Sequence, residues 1–402
     1  MIFVSSVNAI EKTYRELLAK QKNVLKLFSG NPAEHGILFP PKLFKEAYLP
    51  YLDKLDYNPH PKGSLEAREA IARYYKRHHH LANPEHIILT SGSSESFFYL
   101  FSLLAQPGQT ILAPTPSYPL FESIAAMAHV CLDFYPLDET DNWSIDLEAL
   151  RKKITPQTKA LILVSPNNPT GAVIEGNQID KIVALANEHG VALICDEVFS
   201  EFYFGQNTFP RPAFLAEPAL CFTLNGLSKM LALPSMKLSW ILATGHSEKV
   251  IQVLDALETM ADTFLSCHTG IQKALPLLLK KSELFVASYH QEVKNRLALA
   301  LDLLNHPSID LIPPQGGFYL SFKIKTPHIP FGLSSWEDAQ EHCVISFMKE
   351  KGVFIHPGYF YDLNKGLYFV ISFLTEPTSL RHGLGHFKDW MTQETLDSCS
   401  GV

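Results

Sequence analysis

The sequence predicts an α/β protein with two parts: a large domain whose mostly parallel sheet lies between helices, and a smaller α+β domain formed by the C-terminal part and the N-terminal arm. Short apolar segments alternate with helix-like segments up to about residue 280 of 402. Such alternation is typical of parallel sheets covered by helices on both faces. Beyond residue 280, long amphipathic segments flank a few strands. We therefore predict an arm with part of the small domain at 1–45, the large domain at 46–280 and the small C-terminal domain at 281–402.

The individual elements are predicted from apolar periodicity and from the residues that bound each segment. The arm is predicted to hold a helix, Ala9–Lys20, and a proline-rich extended stretch. The strands predicted for the large domain are His86–Leu89, Thr110–Ala113, Ala160–Val164, Val191–Cys195, Ala219–Leu224 and Trp240–Ala243. The helices predicted between them are Ser94–Leu104, Leu120–Ala128 and Gln178–Glu188. The small domain is predicted to contain helices Ser282–Leu304 and Asp338–Lys351 and strands Gly317–Phe322, Val353–His356 and Leu367–Phe373.

Composition and charge narrow the class of protein. The chain is 46% hydrophobic and 19% charged, so it can bury a large core. Its net charge of -7 and its lack of a Lys/Arg-rich run argue against nucleic-acid binding. The charged residues within Met1–Leu18 argue against a signal peptide or a membrane span, and the longest apolar runs are only strand-sized. We expect neither a nucleic-acid partner nor a membrane partner.

The cysteines and histidines show no pattern that indicates a metal site. Six cysteines are scattered without a CxxC pair, which favours free thiols in a reducing cytoplasm over a disulfide framework. The triplet His78-His79-His80 ends an amphipathic segment, Ser64–Arg77, and no carboxylate or cysteine lies at ligand spacing from it. We therefore expect a cytoplasmic protein without a bound metal ion.

Three short segments in fixed order carry the predicted chemistry. They contain Asn168 within SPNNPTG, Asp196 within CDE and Lys229 within LSK. A lysine amine can form an imine with the aldehyde of a pyridoxal cofactor, and a carboxylate can keep the ring nitrogen protonated. An asparagine amide can hydrogen-bond the phenolic oxygen of the ring. The cofactor would supply the electron sink, and the protein would supply orientation and electrostatics.

Two of these residues also have simpler structural interpretations. A single lysine is usually a solvated surface charge, but Lys229 follows a predicted strand and precedes the apolar segment Met230–Pro234. Such surroundings can lower the pKa of an amine and make it a nucleophile and proton shuttle. Asp196, at the end of a strand, could instead cap a helix or form a buried ion pair. In the functional interpretation, a positively charged ring holds its carboxylate ionised.

Two further segments suit the other parts of such a cofactor. Ser91-Gly92-Ser93-Ser94 lies between a predicted strand and a predicted helix, and the N–H groups at a helix N-terminus can bind phosphate. An ordinary serine N-cap explains this segment equally well. Tyr118 could stack on a flat ring, or it could be a core or turn residue. Ligands of open α/β sheets bind at the carboxyl ends of the strands, where these segments can converge.

Taken together, the ordered motifs resemble the class I/II aminotransferase family, the fold type I pyridoxal-phosphate-dependent enzymes. The similarity extends from about Leu25 to about Leu384, and the interval from Asn168 to Asp196 matches the usual spacing of the family. The other matching motifs are Tyr57-Asn58-Pro59 followed by Gly63, Arg68-Glu69-Ala70, Pro313 to Tyr319 (PPQGGFY), and Gly352-Val353 leading to His356-Pro357-Gly358. The resemblance implies an aminotransferase that uses pyridoxal 5'-phosphate.

The resemblance also implies roles for single residues. Lys229 would bind the cofactor and be the catalytic residue, Asp196 would contact the ring nitrogen, and Asn168 would contact the phenolic oxygen and the substrate. Tyr118 would stack on the ring. The residues implied at or near the phosphate are Ser93, Ser94, Ser228 and Lys237.

Further implications concern partners. Tyr57 would reach the phosphate of the neighbouring subunit, which implies a homodimer with shared active sites. Gly30 would let the backbone of the arm approach the substrate. The small-molecule partners would be an amino donor and a 2-oxo acid acceptor, which react in turn by a ping-pong mechanism.

Three smaller departures from the family pattern lie near the cofactor. Phe199 replaces a tyrosine that donates to the phenolic oxygen, and the loss of this donor would raise the pKa of the imine. Lys237 replaces a phosphate-clamping arginine, so the charge is kept but the planar fork is lost. Gly226 replaces a favoured serine. Together, Lys237 and Gly226 predict weaker anchoring of the phosphate.

The largest departure is Val370, which stands where the family has the arginine that grips the substrate α-carboxylate. Such a contact contributes roughly 1.5–3 kcal/mol. Three explanations remain open. Another cation could replace the arginine, with Arg211 and Lys365 as candidates; the substrate could lack an α-carboxylate; or the protein could turn over ordinary amino acids poorly.

Two other functional hypotheses remain beside transamination. The first is a pyridoxal-phosphate-dependent lyase, or other carbanion chemistry on the same fold, because a fold alone does not settle function. The second is a ligand sensor within a transcription regulator. That role would need an attached DNA-binding module, for which residues 1–45 are too short and too rich in proline.

Overall fold

The computed structural model describes residues 8–326, 328–329 and 332–399, and side chains only as far as Met391. The prediction for residues 1–7 and the side chain of Cys399 therefore lie outside the described part. The arm begins with helix α1 (Ala9–Ala19), where Asn8 Oδ1 accepts the Glu11 N–H at 2.8 Å. An extended segment with the two-residue strand β1 (Leu25–Lys26) follows.

An eight-stranded sheet forms the centre of the large domain. Its strands are β2 (Ile87–Thr90), β3 (Thr110–Thr115), β4 (Cys131–Asp138), β5 (Ser144–Ile145), β6 (Thr158–Val164), β7 (Ala192–Asp196), β8 (Leu220–Gly226) and β9 (Ser239–Gly245). Their order in the sheet is β2-β9-β8-β7-β6-β3-β4-β5. Strands β3, β4, β6, β7 and β8 pair in parallel, whereas β9 and β5 run antiparallel to their neighbours. The predicted, mostly parallel sheet is confirmed.

Helices cover both faces of this sheet. They are α2 (Pro41–Leu52), α3 (Leu65–Arg77), α4 (Ser93–Leu104), α5 (Phe121–Met127), α6 (Leu147–Lys153), α7 (Gly176–His189), α8 (Pro212–Leu215), α9 (Leu227–Met230), α10 (Ser247–Phe264) and α11 (Thr269–Lys281). The alternation of side chains along β6 shows the two faces. Ile162 packs into the core shared with α4, α5 and α10, whereas Leu161 and Leu163 pack into the core shared with α7.

The small domain contains a four-stranded antiparallel sheet. The elements of this part of the chain are α12 (Glu283–Leu303), β10 (Ile309–Leu311), β11 (Tyr319–Ile324), α13 (Trp336–Lys351), β12 (Val353–Phe354), β13 (His356–Pro357), β14 (Leu367–Ser372) and α14 (Pro377–Cys399). The sheet order is β10-β11-β14-β13, and β12 pairs with β1 of the arm instead. The single strand predicted at Val353–His356 is therefore two short strands with different partners.

The arm packs into the same core as the C-terminal part of the chain. Ile10, Leu17 and Leu27 belong to one buried cluster with Phe347, Phe387 and other residues of α12 to α14. This shared core supports the predicted small domain of arm plus C-terminal part. The exact boundaries at residues 45 and 280 stay a prediction.

Within the described residues, no helix is long and apolar enough to cross a membrane. The same residues hold no group of three or more His, Cys, Asp or Glu side chains that could bind a metal ion. In the histidine triplet, the His80 ring stacks on Phe214 at 4.5 Å and His78 Nε2 lies 3.4 Å from a Glu201 carboxylate oxygen. Burial lowers the pKa of both histidines to about 4. These two side chains are packed against the protein as structural residues.

Candidate active site

Lys229 lies in the short helix α9, directly after β8. Its Nζ donates a hydrogen bond of 2.9 Å to the Gly30 carbonyl oxygen of the arm and lies 5.8 Å from the centroid of the Phe199 ring. Burial lowers the pKa of Lys229 to about 8, although the nearby charge of Asp196 opposes the shift. About half of the amine is therefore neutral at pH 8, the state in which it can attack a carbonyl carbon.

Asp196 is the last residue of β7 and is buried. The ladder pairs it with Val164 of β6 and Leu224 of β8, so it lies at the carboxyl edge of the sheet. Its Oδ1 accepts the Val198 N–H at 3.1 Å. Burial raises the pKa of Asp196 to about 6, and it forms no ion pair with any residue that the structure describes. Its carboxylate can therefore pair with a cation that is not part of this chain.

The loop after β6 holds one satisfied and one unsatisfied asparagine. The Asn167 Oδ1 accepts the Thr170 N–H at 3.2 Å and the Thr170 hydroxyl at 2.9 Å, which fixes the loop. Asn168 is 8% exposed, and its Oδ1 has no hydrogen-bond partner among the described residues. An unsatisfied buried amide costs about 1–3 kcal/mol. A polar group of a bound molecule would satisfy the Asn168 amide in either of its orientations.

A positive cradle lies at the N-terminus of α4. Ser93 and Ser94 form the first turn of the helix after Gly92. The Lys237 ammonium lies beside that turn, since a Cβ built on Gly92 would be 3.2 Å from Lys237 Nζ. Lys237 forms no ion pair within the described part of the chain. A helix N-terminus and an unpaired ammonium together attract an anion such as phosphate.

The packing around Gly226 explains why this chain lacks the serine that the family favours at this position. It pairs with Ser239 across β8 and β9. A Cβ at Gly226 would overlap the Ser239 hydroxyl oxygen and lie 2.9 Å from the Leu238 carbonyl oxygen. The serine favoured by the family would therefore not fit here unless β9 moved away. Ser228, next to Lys229, is partly buried.

Three tyrosines lie close to one another beside Asp196 and the arm. Tyr118 follows β3, and burial together with the charge of Asp196 raises its pKa. The Tyr319 hydroxyl lies against Gly30, because a Cβ there would overlap it. The Tyr361 hydroxyl lies 3.0 Å from His356 Nδ1. Burial raises the pKa of Tyr319 and of Tyr361, so all three phenols stay neutral.

Sequence reasoning did not assign Tyr319 and Tyr361 to the site. A signal for Tyr319 was present, because it ends the PPQGGFY motif quoted above. Tyr361 follows the His356-Pro357-Gly358 motif by three residues and had no signal of its own. Tyr57, by contrast, was predicted near the phosphate of a neighbouring subunit. It is 69% exposed in the single chain and is not among the residues around Lys229.

Val370 lies in the middle of β14 and is completely buried. It packs in a small cluster with Trp143, Tyr361, Leu363 and Tyr368. This cluster occupies the place at which the family pattern has its carboxylate-gripping arginine. The chain therefore presents packed, uncharged side chains at this position.

The prediction that Arg211 could replace the missing carboxylate-binding arginine is wrong. It is 2% exposed, forms a buried ion pair with Glu197, and donates to the Tyr74 hydroxyl oxygen at 3.3 Å. Its guanidinium is therefore already occupied. The other candidate, Lys365, is exposed. It lines a cleft of about 520 Å³ that Trp143 also lines.

Comparison with known proteins identifies the family. Residues 23–384 match the family described as "Aminotransferase class I and II". The glutamate-pyruvate aminotransferase AlaA of Escherichia coli K12 is 29% identical over 326 residues, 78% of each chain. The tyrosine aminotransferase of Mus musculus is 29% identical over 319 residues, which is 77% of this chain and 69% of the relative.

Solved structures agree with this assignment. An alanine aminotransferase from Pyrococcus furiosus superposes with a TM-score of 0.88 at 26% identity, over 96% of this chain and 98% of that chain. The orphaned Asn168 amide, the unpaired Asp196 carboxylate and the positive cradle at α4 fit the ring and phosphate of pyridoxal phosphate. This chain therefore belongs to the class I and II aminotransferase family and is a pyridoxal-phosphate-dependent aminotransferase.

Proposed function

We propose that this protein moves an amino group from a small-molecule donor to a 2-oxo acid in two half-reactions at one site, by a ping-pong mechanism. The observation that supports the proposal best is the buried amine of Lys229, which donates to the Gly30 carbonyl oxygen and has a pKa of about 8, near a buried carboxylate at Asp196 that forms no ion pair with a described residue. The relatives named above are aminotransferases, which favours transamination over a lyase reaction.

Lys229 has two roles in this proposal. As a neutral amine it would hold the cofactor covalently, and its lowered pKa makes the neutral form available near neutral pH. Once released by a donor, its Nζ would accept a proton and give it back, as the general base and general acid of the site. The hydrogen bond to the Gly30 carbonyl oxygen holds the amine at the junction of arm and large domain.

Asp196 and Asn168 orient and polarise the ring. Bound pyridoxal phosphate supplies the electron sink for the carbanion. The Asp196 carboxylate would favour a proton on the ring nitrogen, and the positive ring would keep the carboxylate ionised. The Asn168 amide would hydrogen-bond the phenolic oxygen and border the substrate, and the Tyr118 ring would stack on the cofactor.

The phosphate would be held by polar groups from two elements. The proposed contacts are Ser93, Ser94, Ser228 and Lys237. Lys237 supplies a point charge where an arginine would supply a planar fork, so it fixes the phosphate less firmly in orientation. We therefore expect phosphate binding to depend more on charge attraction than on directed hydrogen bonds.

We also propose a homodimer with shared active sites. Tyr57, which is 69% exposed, lies near Leu52 (54% exposed) and Leu55 (64% exposed) in the chain. Exposed apolar side chains of this size favour burial against another surface. Light scattering after size exclusion would test the assembly. A Tyr57→Phe variant that binds the cofactor as tightly as the parent would count against the contact with the partner's phosphate.

We place the protein in the cytoplasm. The Cys195 and Cys221 sulfur atoms lie 3.6 Å apart in the core without forming a disulfide, which suits a reducing compartment. Fractionation of cells that produce the protein would test this proposal, and recovery outside the cytoplasm would contradict it.

The central test uses the purified holoenzyme. Amino donors are added one at a time, the absorbance of the bound cofactor is followed, and released pyridoxamine phosphate is identified by mass spectrometry. Transamination yields about one equivalent per site before any acceptor is added. A donor that is consumed without formation of pyridoxamine phosphate would support the lyase reaction instead.

A further inference from the structure

We infer that the amino donor of this enzyme is a primary amine whose reacting carbon carries an uncharged group in place of a carboxylate. The inference rests on the proposed transamination and specifies its donor. It comes from the side chains that surround Val370, which form a neutral wall where a carboxylate would need a cation. We call Val370, Trp143, His356 and Tyr361 the neutral wall.

The register of the small sheet places uncharged residues on both sides of Val370. In the ladder, Ser321 of β11 and His356 of β13 lie directly opposite Val370. Residues directly opposite on neighbouring strands share one face of a sheet. Burial lowers the pKa of His356 to about 3, so this row carries no charge at physiological pH.

The same face of the sheet points toward Lys229. Tyr319 lies two positions from Ser321 on β11, so the two side chains share a face. The Tyr319 hydroxyl lies against Gly30, whose carbonyl oxygen accepts the Lys229 hydrogen bond. A donor attached near Lys229 would therefore meet this face at Tyr319, and Val370 lies further along the same face, beneath Trp143 and Tyr361.

The neutral wall is closed by aromatic side chains. Trp143 comes from the large domain and packs with Tyr361 on Val370, which is fully buried. A carboxylate placed here would lose its hydration without gaining a cation, which disfavours it in a buried setting. An uncharged alkyl or hydroxymethyl group loses much less. Ser372, two residues after Val370, is fully buried with an unpaired hydroxyl, which could bond a substrate hydroxyl.

The buried arginines and the lysine on this face of the sheet are already engaged. Three arginines are buried within the described residues: Arg68, Arg211 and Arg296. Each forms an ion pair, and their respective partners are Glu85, Glu197 and Glu292. Lys323, on the same face as Val370, donates to the Tyr368 hydroxyl oxygen at 3.3 Å. None of these cations is left to bind a carboxylate at the neutral wall.

The cleft next to the wall has an excess of carboxylates. Its lining includes Asp138, Glu139 and Asp362, but a single ammonium, Lys365. Glu139 accepts the Tyr368 hydroxyl at 2.6 Å and so stays at the edge of the wall. The negative charges of these side chains would repel the carboxylate of a donor rather than attract it. Lys365 therefore does not restore the missing arginine.

A matched series of donors tests the inference on the holoenzyme. L-alanine, L-alaninol and 2-aminopropane differ only in the third group on the reacting carbon, which is a carboxylate, a hydroxymethyl or a methyl group. Each leaves as its carbonyl compound with oxygen taken from water, while its nitrogen remains as pyridoxamine phosphate. We expect kcat/KM for L-alaninol to exceed that for L-alanine by about tenfold or more, because only the carboxylate of L-alanine would lose its hydration without gaining a cation. L-alanine reacting as fast as L-alaninol, or faster, would overturn the inference.

Two variants of Val370 sharpen the test. Val370→Arg should raise kcat/KM for L-alanine by about tenfold to a hundredfold and should create a saturable propionate site, read from the absorbance of the bound cofactor. Val370→Leu adds volume without charge, so it should neither raise kcat/KM for L-alanine nor create a propionate site. An Arg variant that gains neither property while remaining folded by circular dichroism would contradict the inference. If that variant fails to fold, the parent donor series decides the question alone.

The outcomes separate this inference from the proposed transamination. Pyridoxamine phosphate formed from L-alanine but not from the two amines would leave the transamination standing and refute only the neutral donor. No pyridoxamine phosphate from any donor, in a protein that binds the cofactor, would refute both.

Discussion

The cofactor end of the active site differs from the substrate end in how charge is distributed. Around the cofactor, Lys229, Asp196 and Lys237 are ionisable and form no ion pair with any described residue. At the other end, Val370 of β14 and His356 of β13 are uncharged and packed against aromatic rings. We propose that the first region binds the charged cofactor and that the second borders an uncharged group of the donor. In this proposal, chemistry and specificity reside in separate parts of the fold.

Removing the catalytic amine should give the largest effect. Lys229→Ala should lower kcat by about 10³-fold to 10⁴-fold with every donor, because proton transfer by a positioned group contributes up to that range. The loss should not depend on the donor, since Lys229 belongs to the cofactor end. Stopped-flow absorbance of single turnovers would measure it.

The matched control is Lys181→Ala, an exposed lysine on α7. It should keep the parental rate. A Lys229→Ala protein that binds cofactor and retains more than a tenth of the parental kcat would show that another group moves the proton.

Asp196→Asn should have the next largest effect. It should lower the activity but raise the stability of the cofactor-free protein at pH 8. Burial raises the pKa of Asp196 from 3.8 to about 6, so the ionised carboxylate destabilises the folded, cofactor-free protein above pH 6. The penalty is about 3 kcal/mol at pH 8, and it vanishes below pH 4, where folded and unfolded states both bind the proton. The Asn variant should therefore be more stable than the parent at pH 8 but not at pH 4, and about a hundredfold less active.

Urea unfolding of both cofactor-free proteins at the two pH values would measure this difference. Added cofactor should stabilise the parent more than the variant, because only the carboxylate pairs with a protonated ring. Equal stability of the two proteins at pH 8 would show that the buried carboxylate is not destabilising.

Lys237→Arg should have a moderate effect that is confined to the cofactor end. The guanidinium can bond two phosphate oxygens where the ammonium acts as a point charge, so we expect the Kd of the cofactor to fall by about fivefold to tenfold. Calorimetric titration of the cofactor-free protein would measure it. Lys249→Arg, at an exposed position on α10, is the control and should leave the Kd unchanged. Weaker cofactor binding by Lys237→Arg would mean that the space beside Gly92 fits a lysine side chain better than an arginine side chain.

The sequence carries a clearer signal for the proposed cofactor end than for the proposed substrate end, for a physical reason. Asn168 and Lys229 follow strands and Asp196 ends one, the apolar runs of these strands are visible in the sequence, and parallel strands bring such residues to one edge. Trp143 carries no such signal. It follows a left-handed turn at Asn142, and its packing on Val370 depends on a contact between domains.

The errors of the sequence interpretation have similar origins. Strand β4 was missed because Asp133 and Pro136 interrupt its apolar pattern and only Tyr135 is fully buried. Arg211 was a wrong candidate because its buried pairing with Glu197 is a contact of tertiary structure. Pairings of this kind depend on the three-dimensional packing of distant segments, which periodicity does not contain.

Phe199→Tyr should have the smallest effect, and it tests the border between the two regions. The Phe199 ring is buried, with its centroid 5.0 Å from that of Phe318 and 6.2 Å from that of Tyr319, and Lys229 Nζ lies 5.8 Å away. A tyrosine hydroxyl there would donate to the phenolic oxygen of the bound cofactor. One such bond contributes about 0.5–1.5 kcal/mol, so the pKa read from the absorbance of the bound cofactor should fall by about one unit.

The control for this last variant is Phe204→Tyr, whose ring packs against His290 instead and should leave that pKa unchanged. An unchanged or raised pKa in Phe199→Tyr would show that the ring oxygen already has a second donor. The ratio of kcat/KM between L-alaninol and L-alanine is the sharper readout, because Phe199 also touches Tyr319. A lower pKa with the same ratio means that the two ends act independently. A changed ratio means that a hydrogen bond at the cofactor is transmitted to the neutral wall, and the separation between the two regions would no longer hold.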